Sequence, residues 1–170
     1  MAIPKYFEMY KSFLKVLMDG EIHSIQEEKQ QVINDFRLSE KEIAELLPSG
    51  RQSIFANRIG WCMTYLKKAG LLESPARGQY KITDTGIKIY KNNKIIDDNV
   101  LRQFPAFMEF KVGEVHESNE VDGTILNVDE TPQETLDRVY KELNNTLAMD
   151  LLAEVCKMNP YRFESLVVEL

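Results

Sequence analysis

Cysteine, histidine and tryptophan are scarce in this 170-residue sequence, with two, two and one copies. Cys62 and Cys156 lie far apart and lack metal-ligand spacing, which speaks against a disulfide framework and for reduced thiols in a cytoplasmic protein. His23 and His116 have no ligand partners at metal spacing, and no Ser-His-Asp or Cys-His set can be assembled from the spacings. No glycine-rich phosphate cradle is present. No apolar run reaches the length of a membrane span, and the N-terminus has no secretory apolar core, so no membrane partner is expected.

Basic charge is in deficit overall, with a net charge of −6, which taken whole argues against a nucleic-acid partner. The charge is uneven. Residues 50–96 carry nine Lys or Arg against two acids, whereas residues 97–170 carry six bases against sixteen acids and residues 1–49 six against nine. A cationic block between acidic ones suggests a local anion-binding surface; it is equally what a basic domain joined to an acidic one would show.

The stretch from Leu47 to Leu72 organises the chain. Pro48 and Gly50 set a turn. A helix follows, with Ser53 as N-cap and Gly70 as its stop. Phe55, Ile59, Cys62, Leu66 and Ala69 recur at steps of four and three and form an apolar face. The opposite face carries Ser53, Asn57, Trp61, Thr64 and Lys68, with Arg58 and Tyr65 beside it. Amides, hydroxyls and cations are the groups that contact phosphates and base edges. Two short strands, Leu71–Ser74 and Gln79–Ile82, are joined by the turn Pro75-Ala76-Arg77-Gly78. A helix followed by a hairpin with a basic tip is the plan of a winged helix, in which the helix enters the major groove and the wing meets the backbone. The plainer alternative is a helix and hairpin of an ordinary small core.

In chain order, Pro4–Met18 reads as a helix, Ser24–Phe36 as a second with a Ser24/Glu27 capping box, and Ser39–Leu47 as a third with Ser39 and Glu42 in the same relation. A further helix is expected from Thr83 to about Tyr90 or Asn92. Residues 97–113 read as short helical pieces broken around Pro105, rich in Phe104, Phe107, Met108 and Phe110, and either pack back on the domain or mediate association. Residues 114–131 read as a linker. Thr131-Pro132 starts a long helix with a possible break at Asn144-Asn145, and Asn159-Pro160 opens another through Leu170. The expected fold class is α+β, mainly helical: a winged helix over 1–96, an apolar segment and linker over 97–131, and a helical extension over 132–170. The chain stops inside an amphipathic helix, so a truncated piece of a longer protein is expected.

Leu47-Pro48-Ser49-Gly50, Asn57-Arg58-Ile59-Gly60-Trp61, Leu66-Lys67-Lys68-Ala69-Gly70-Leu71 and Ile82-Thr83-Asp84-Thr85-Gly86 resemble the N-terminal domain of Mrr restriction proteins, over residues 4–92. The resemblance implies a winged helix that binds double-stranded DNA, in a family of type IV restriction endonucleases acting on modified, typically methylated, DNA. Residues 152–170 are similar to the first helix of the Mrr catalytic domain, a PD-(D/E)xK nuclease, and Glu164 matches its glutamate. The metal-binding Asp and the Glu-x-Lys strand have no counterpart here. The resemblance thus implies Mg²⁺ for the full-length nuclease, no cofactor for this stretch, and no cleavage by this stretch alone. Without the resemblance, Glu164 is an ordinary helix-surface acid.

For DNA contact the candidates are Arg51, Ser53, Asn57, Arg58, Thr64 and Lys68 on the helix and Arg77 and Lys81 on the wing. Arg58 and Asn57 suit guanine and adenine edges; the others suit phosphate. Trp61 either stacks on a sugar or base or, more commonly, packs on a neighbouring element. By analogy with enzymes that cut both strands, a homodimer is expected. Two other functions compete: a winged-helix transcription regulator whose C-terminal helices dimerise, and a protein-association module using Trp61 and Phe104–Phe110.

Overall fold

The structure, a computed structural model, describes residues 3–116 and 129–169. Two compact units divide the chain, Met1–Thr131 and Pro132–Leu170.

The first unit opens with turns at residues 6–9 and α1 (Tyr10–Val16), shorter than the helix expected from Pro4. Tyr6, Met9, Tyr10, Phe13, Leu14 and Leu17 nevertheless all point into the core. A single 3₁₀ turn, Leu17–Asp19, closes the helix at Gly20, whose φ of 80° ends it. β1 (His23–Ser24) is a two-residue strand that periodicity cannot reveal, because two residues do not alternate. Ser24 then caps α2 (Ile25–Phe36): Glu27 N–H donates to Ser24 Oγ, and Ser24 N–H to the Glu27 carboxylate at 2.8 Å. The Ser39/Glu42 box starts α3 (Glu40–Ala44) in the same way, and Ser53 caps α4 (Ile54–Lys68).

Next come β2 (Leu72–Ala76) and β3 (Gln79–Ile82). The sheet order is β1-β3-β2, antiparallel throughout, with His23 opposite Tyr80 and Glu73 opposite Lys81. Pro75 sits in β2, an outer strand. The wing is tied back to the body where Ile25 N–H donates to Gly78 O at 3.1 Å. Thr83 caps α5 (Asp84–Asn92). At Gly86 a Cβ would run into the Leu71 carbonyl and the Ile82 side chain, so this position must be glycine for α5 to close on the strands. The helix, strand and hairpin order is that of a winged helix, an α+β fold.

α6 (Asp98–Leu101) and α7 (Pro105–His116) complete the unit. The segment is in helical pieces broken before Pro105, as expected; Pro105 begins α7, because the first helical position needs no N–H. Leu101 and Phe107 are fully buried, and Phe107 and Phe110 meet the Tyr65 ring at 5.6 and 6.2 Å. The apolar segment therefore packs back on α4. The expected linker lies mostly at 117–128, outside the described residues.

In the second unit, α8 (Pro132–Lys157) runs through Asn144-Asn145 without a break. Asn144 Nδ2 donates to Tyr140 O and Thr146 Oγ1 to Glu142 O, both at 3.0 Å, so these polar side chains bond along the helix instead of competing with it. α9 (Pro160–Glu169) follows a turn in which Tyr161 N–H donates to Asn159 Oδ1 at 3.0 Å. Leu136, Tyr140, Leu143, Leu147, Leu151 and Leu152 are exposed along α8. Among the described residues, no helix is long and apolar enough to cross a membrane.

Candidate nucleic-acid interface

α4 has three differently treated sides. The first, made by Phe55, Ile59, Cys62 and Leu66, is buried against the rest of the core as its apolar spacing requires. The second holds Asn57, Arg58, Trp61, Tyr65 and Lys68, and here the molecule covers what the sequence suggested was free. Asn57 is only 6% exposed. Its Oδ1 accepts from Thr131 Oγ1 at 2.5 Å, and its Nδ2 donates to Gln52 Oε1 at 3.4 Å. Arg58 Nη1 donates to the carbonyls of Ile3 and Pro4 at 2.6 and 3.1 Å, fastening the N-terminal segment across the helix. Trp61 packs on Tyr65 with ring centroids 5.4 Å apart. Lys68 stays exposed but lies over the Phe110 ring, 4.6 Å from its centroid.

The covering is fixed by its own polar contacts. Lys5 pairs with Asp129. Asp98 accepts from Tyr6 Oη at 2.9 Å, Tyr10 Oη at 2.8 Å and Lys111 Nζ at 3.0 Å. Burial, with Asp98 alongside, pushes both tyrosine hydroxyls far above their ordinary range, so they act as permanent donors.

The third side is Ala56, Gly60, Met63, Thr64 and Lys67. A Cβ added at Gly60 would meet nothing within 4 Å, and Lys67 is exposed. Thr64 is half-buried, and its Oγ1 donates to Gly60 O at 2.9 Å, so its donor is occupied. Ser53 is spent on its cap, accepting from Ala56 N–H at 3.1 Å. Arg51 is exposed on the turn leading into α4, Arg77 is exposed at the wing tip, and Lys81 is half-buried on β3. Of the eight sequence candidates, Arg51, Arg77 and Lys68 thus have exposed cationic side chains, whereas Asn57 and Arg58 hold the fold together. Gly60, with open space at its Cβ position, and the exposed Lys67 were not anticipated, while Met63 between them is half-buried against the core. The signal for them was Trp61 and Tyr65 beside Lys68, an aromatic pair that needed a packing partner, together with the apolar residues of 97–113 that needed somewhere to pack.

Residues 6–92, just over half of the chain, match the model of the family described as the Mrr N-terminal domain. The chain belongs to this family. It is also 24% identical, over 179 aligned residues, to the type IV methyl-directed restriction enzyme EcoKMrr of Escherichia coli (strain K12). That alignment takes in all of this chain and 59% of the enzyme, so the chain spans little more than half the length of this Mrr relative. No solved structure matches the chain. Glu164 is exposed on α9, and among the described residues no three metal-ligating side chains come together. A divalent ion needs several convergent oxygens, and the Mg²⁺ that the family resemblance implies belongs to the full-length nuclease.

Proposed function

We propose that this chain is the DNA-recognition part of a cytoplasmic Mrr-type restriction endonuclease, and that it binds duplex DNA that carries a modification such as methylation. The observation that carries the reading is the pairing of α4's uncovered strip with a basic-tipped wing in the one segment of the chain with a strong positive excess. In this reading Gly60 and Ala56 let the helix backbone approach the groove closely. Lys67, Arg51, Arg77 and Lys81 meet phosphates. Lys68 contributes charge from the edge. Asn57, Arg58, Ser53 and Thr64 position α4 from within. The burial of Phe107 and the half-burial of Trp61 speak against the protein-association alternative, while Met108 of the same segment is exposed. Cutting of both strands by a longer protein would use a homodimer, which sedimentation of the chain at micromolar concentration would reveal.

Salt-dependent binding to duplexes with and without methylated bases tests the proposal. Lys67→Ala and Arg77→Ala are expected each to lower affinity and to reduce the slope of log affinity against log salt by about 1. Gly60→Glu, placed where a side chain has free space, should abolish binding while leaving the melting temperature within a few degrees. Unchanged affinity and slope in all three variants would refute the interface. Equal binding to modified and unmodified duplexes would remove the modification from this domain's role.

A further inference from the structure

Glu28 lies in the first turn of α2, yet its side chain is fully buried. Among the described residues, neither carboxylate oxygen has a hydrogen-bond partner. The groups that face it are few. From α2 itself comes the Glu27 carboxylate, which is engaged by Ser24 N–H and by His23 of β1. From α4 comes the Cys62 thiol, and from β3 comes Tyr80, whose ring meets Phe13 of α1 edge-on at 6.3 Å. The nearest charge on this list is another acid, and the rest are neutral. A carboxylate left unpaired in such surroundings is strongly disfavoured; the protonated acid is disfavoured far less.

We propose that Glu28 is a proton-dependent latch of the winged-helix unit: as the neutral acid it lets α2 seat in the core, where α1 and β1 are its main neighbours, and loss of its proton loosens that seating. Burial, with Glu27 adding to it, pushes the carboxyl up to about 8 from an ordinary value of 4.5. Stability from this group is fully present below about pH 4.5, and it is lost progressively as pH rises to about 8. Cys62 and Tyr80, which lie within electrostatic reach of Glu28, belong to α4 and β3, the elements that carry the uncovered strip and one strand of the wing, so alkalinisation acts beside both. The proposal concerns the folded unit itself and stands whether or not that unit binds DNA.

Denaturant unfolding of the whole 170-residue chain at several pH values between 5 and 8 tests it, with the carboxyl carbon of Glu28 followed by NMR. The wild-type folded-to-unfolded ratio is expected to fall on the order of 10²-fold across that range. Glu28→Gln and Glu28→Met should lose most of this slope. His23→Gln, introduced into each background, removes the part that belongs to the imidazole. If the buried amide of Glu28→Gln prevents folding, Glu28→Met decides, since its side chain needs no partner. A Glu28 carbon signal that titrates in the ordinary carboxylate range, or a wild-type slope retained in Glu28→Met, would overturn the proposal.

Discussion

His23 carries a carboxylate on each ring nitrogen: Asp19 on Nε2 at 2.8 Å and Glu27 on Nδ1 at 3.2 Å. Carboxylates only accept, so both bonds are complete only in the imidazolium. The Asp19 hydrogen bond leads in raising the ring's pKa above 6.5. The partners move the other way: Asp19 is lowered first by the backbone N–H of Glu21, and Glu27 by that of Ser24. The stabilisation is fully present below pH 6.5 and is lost as pH rises through the raised value. His23→Gln should therefore lower the melting temperature at pH 6 and leave it nearly unchanged at pH 8.5, measured by circular dichroism. At this scale the sequence was informative about caps. Ser24, Ser39, Ser53 and Thr83 each precede a helix with the spacing their bonds require. It was uninformative about Asn57, because that amide is satisfied by Thr131, 74 positions away, and no local pattern encodes such a pair.

Among the elements, α4 is packed by α3, β2 and α7, and α7 shows why its second side is covered. The residues of α7 carry almost no one-sided apolar bias, so their helical wheel does not say which side is inward. Yet Phe107 is fully buried against Tyr65. Phe107→Ala should cost about 3–5 kcal/mol in chemical denaturation, the usual range for a fully buried aromatic. The helix and hairpin of the wing were legible from turn residues and strand spacing. What the spacing could not show was that α4 has two packed sides. An amphipathic reading assigns a helix one buried side and one wet side. A central helix breaks that assumption, and Trp61 and Tyr65 are where the breach is visible.

At the scale of the whole molecule the two units differ in how their apolar residues are used. The first buries Tyr6, Tyr10, Phe13, Tyr65 and Phe107 together. The second leaves Leu136, Leu143 and Leu147 more than half exposed, with α8 supported by local pairs such as Arg138–Glu142 at 3.2 Å. Helices without tertiary burial are marginal in water. Amide hydrogen exchange on the whole chain should therefore find α8 beyond Arg138 weakly protected, while α4 exchanges only on global unfolding; equal protection of both would contradict this. The cationic block between two acidic ones was readable from charge alone. Which of its cations stand clear was not, because that depends on which residues the distant segments cover: Arg58 is held by backbone carbonyls, whereas Lys67, Arg77, Lys88, Lys91 and Lys94 are exposed.

One small feature bears on behaviour in solution. β2 is an outer strand of the sheet, and Pro75 interrupts its row of backbone donors, while Glu73 adds an exposed charge. A stray strand from another molecule would find the ladder incomplete there and an acid in its path. The margin best shaped for templating fibres is in this way made a poor template.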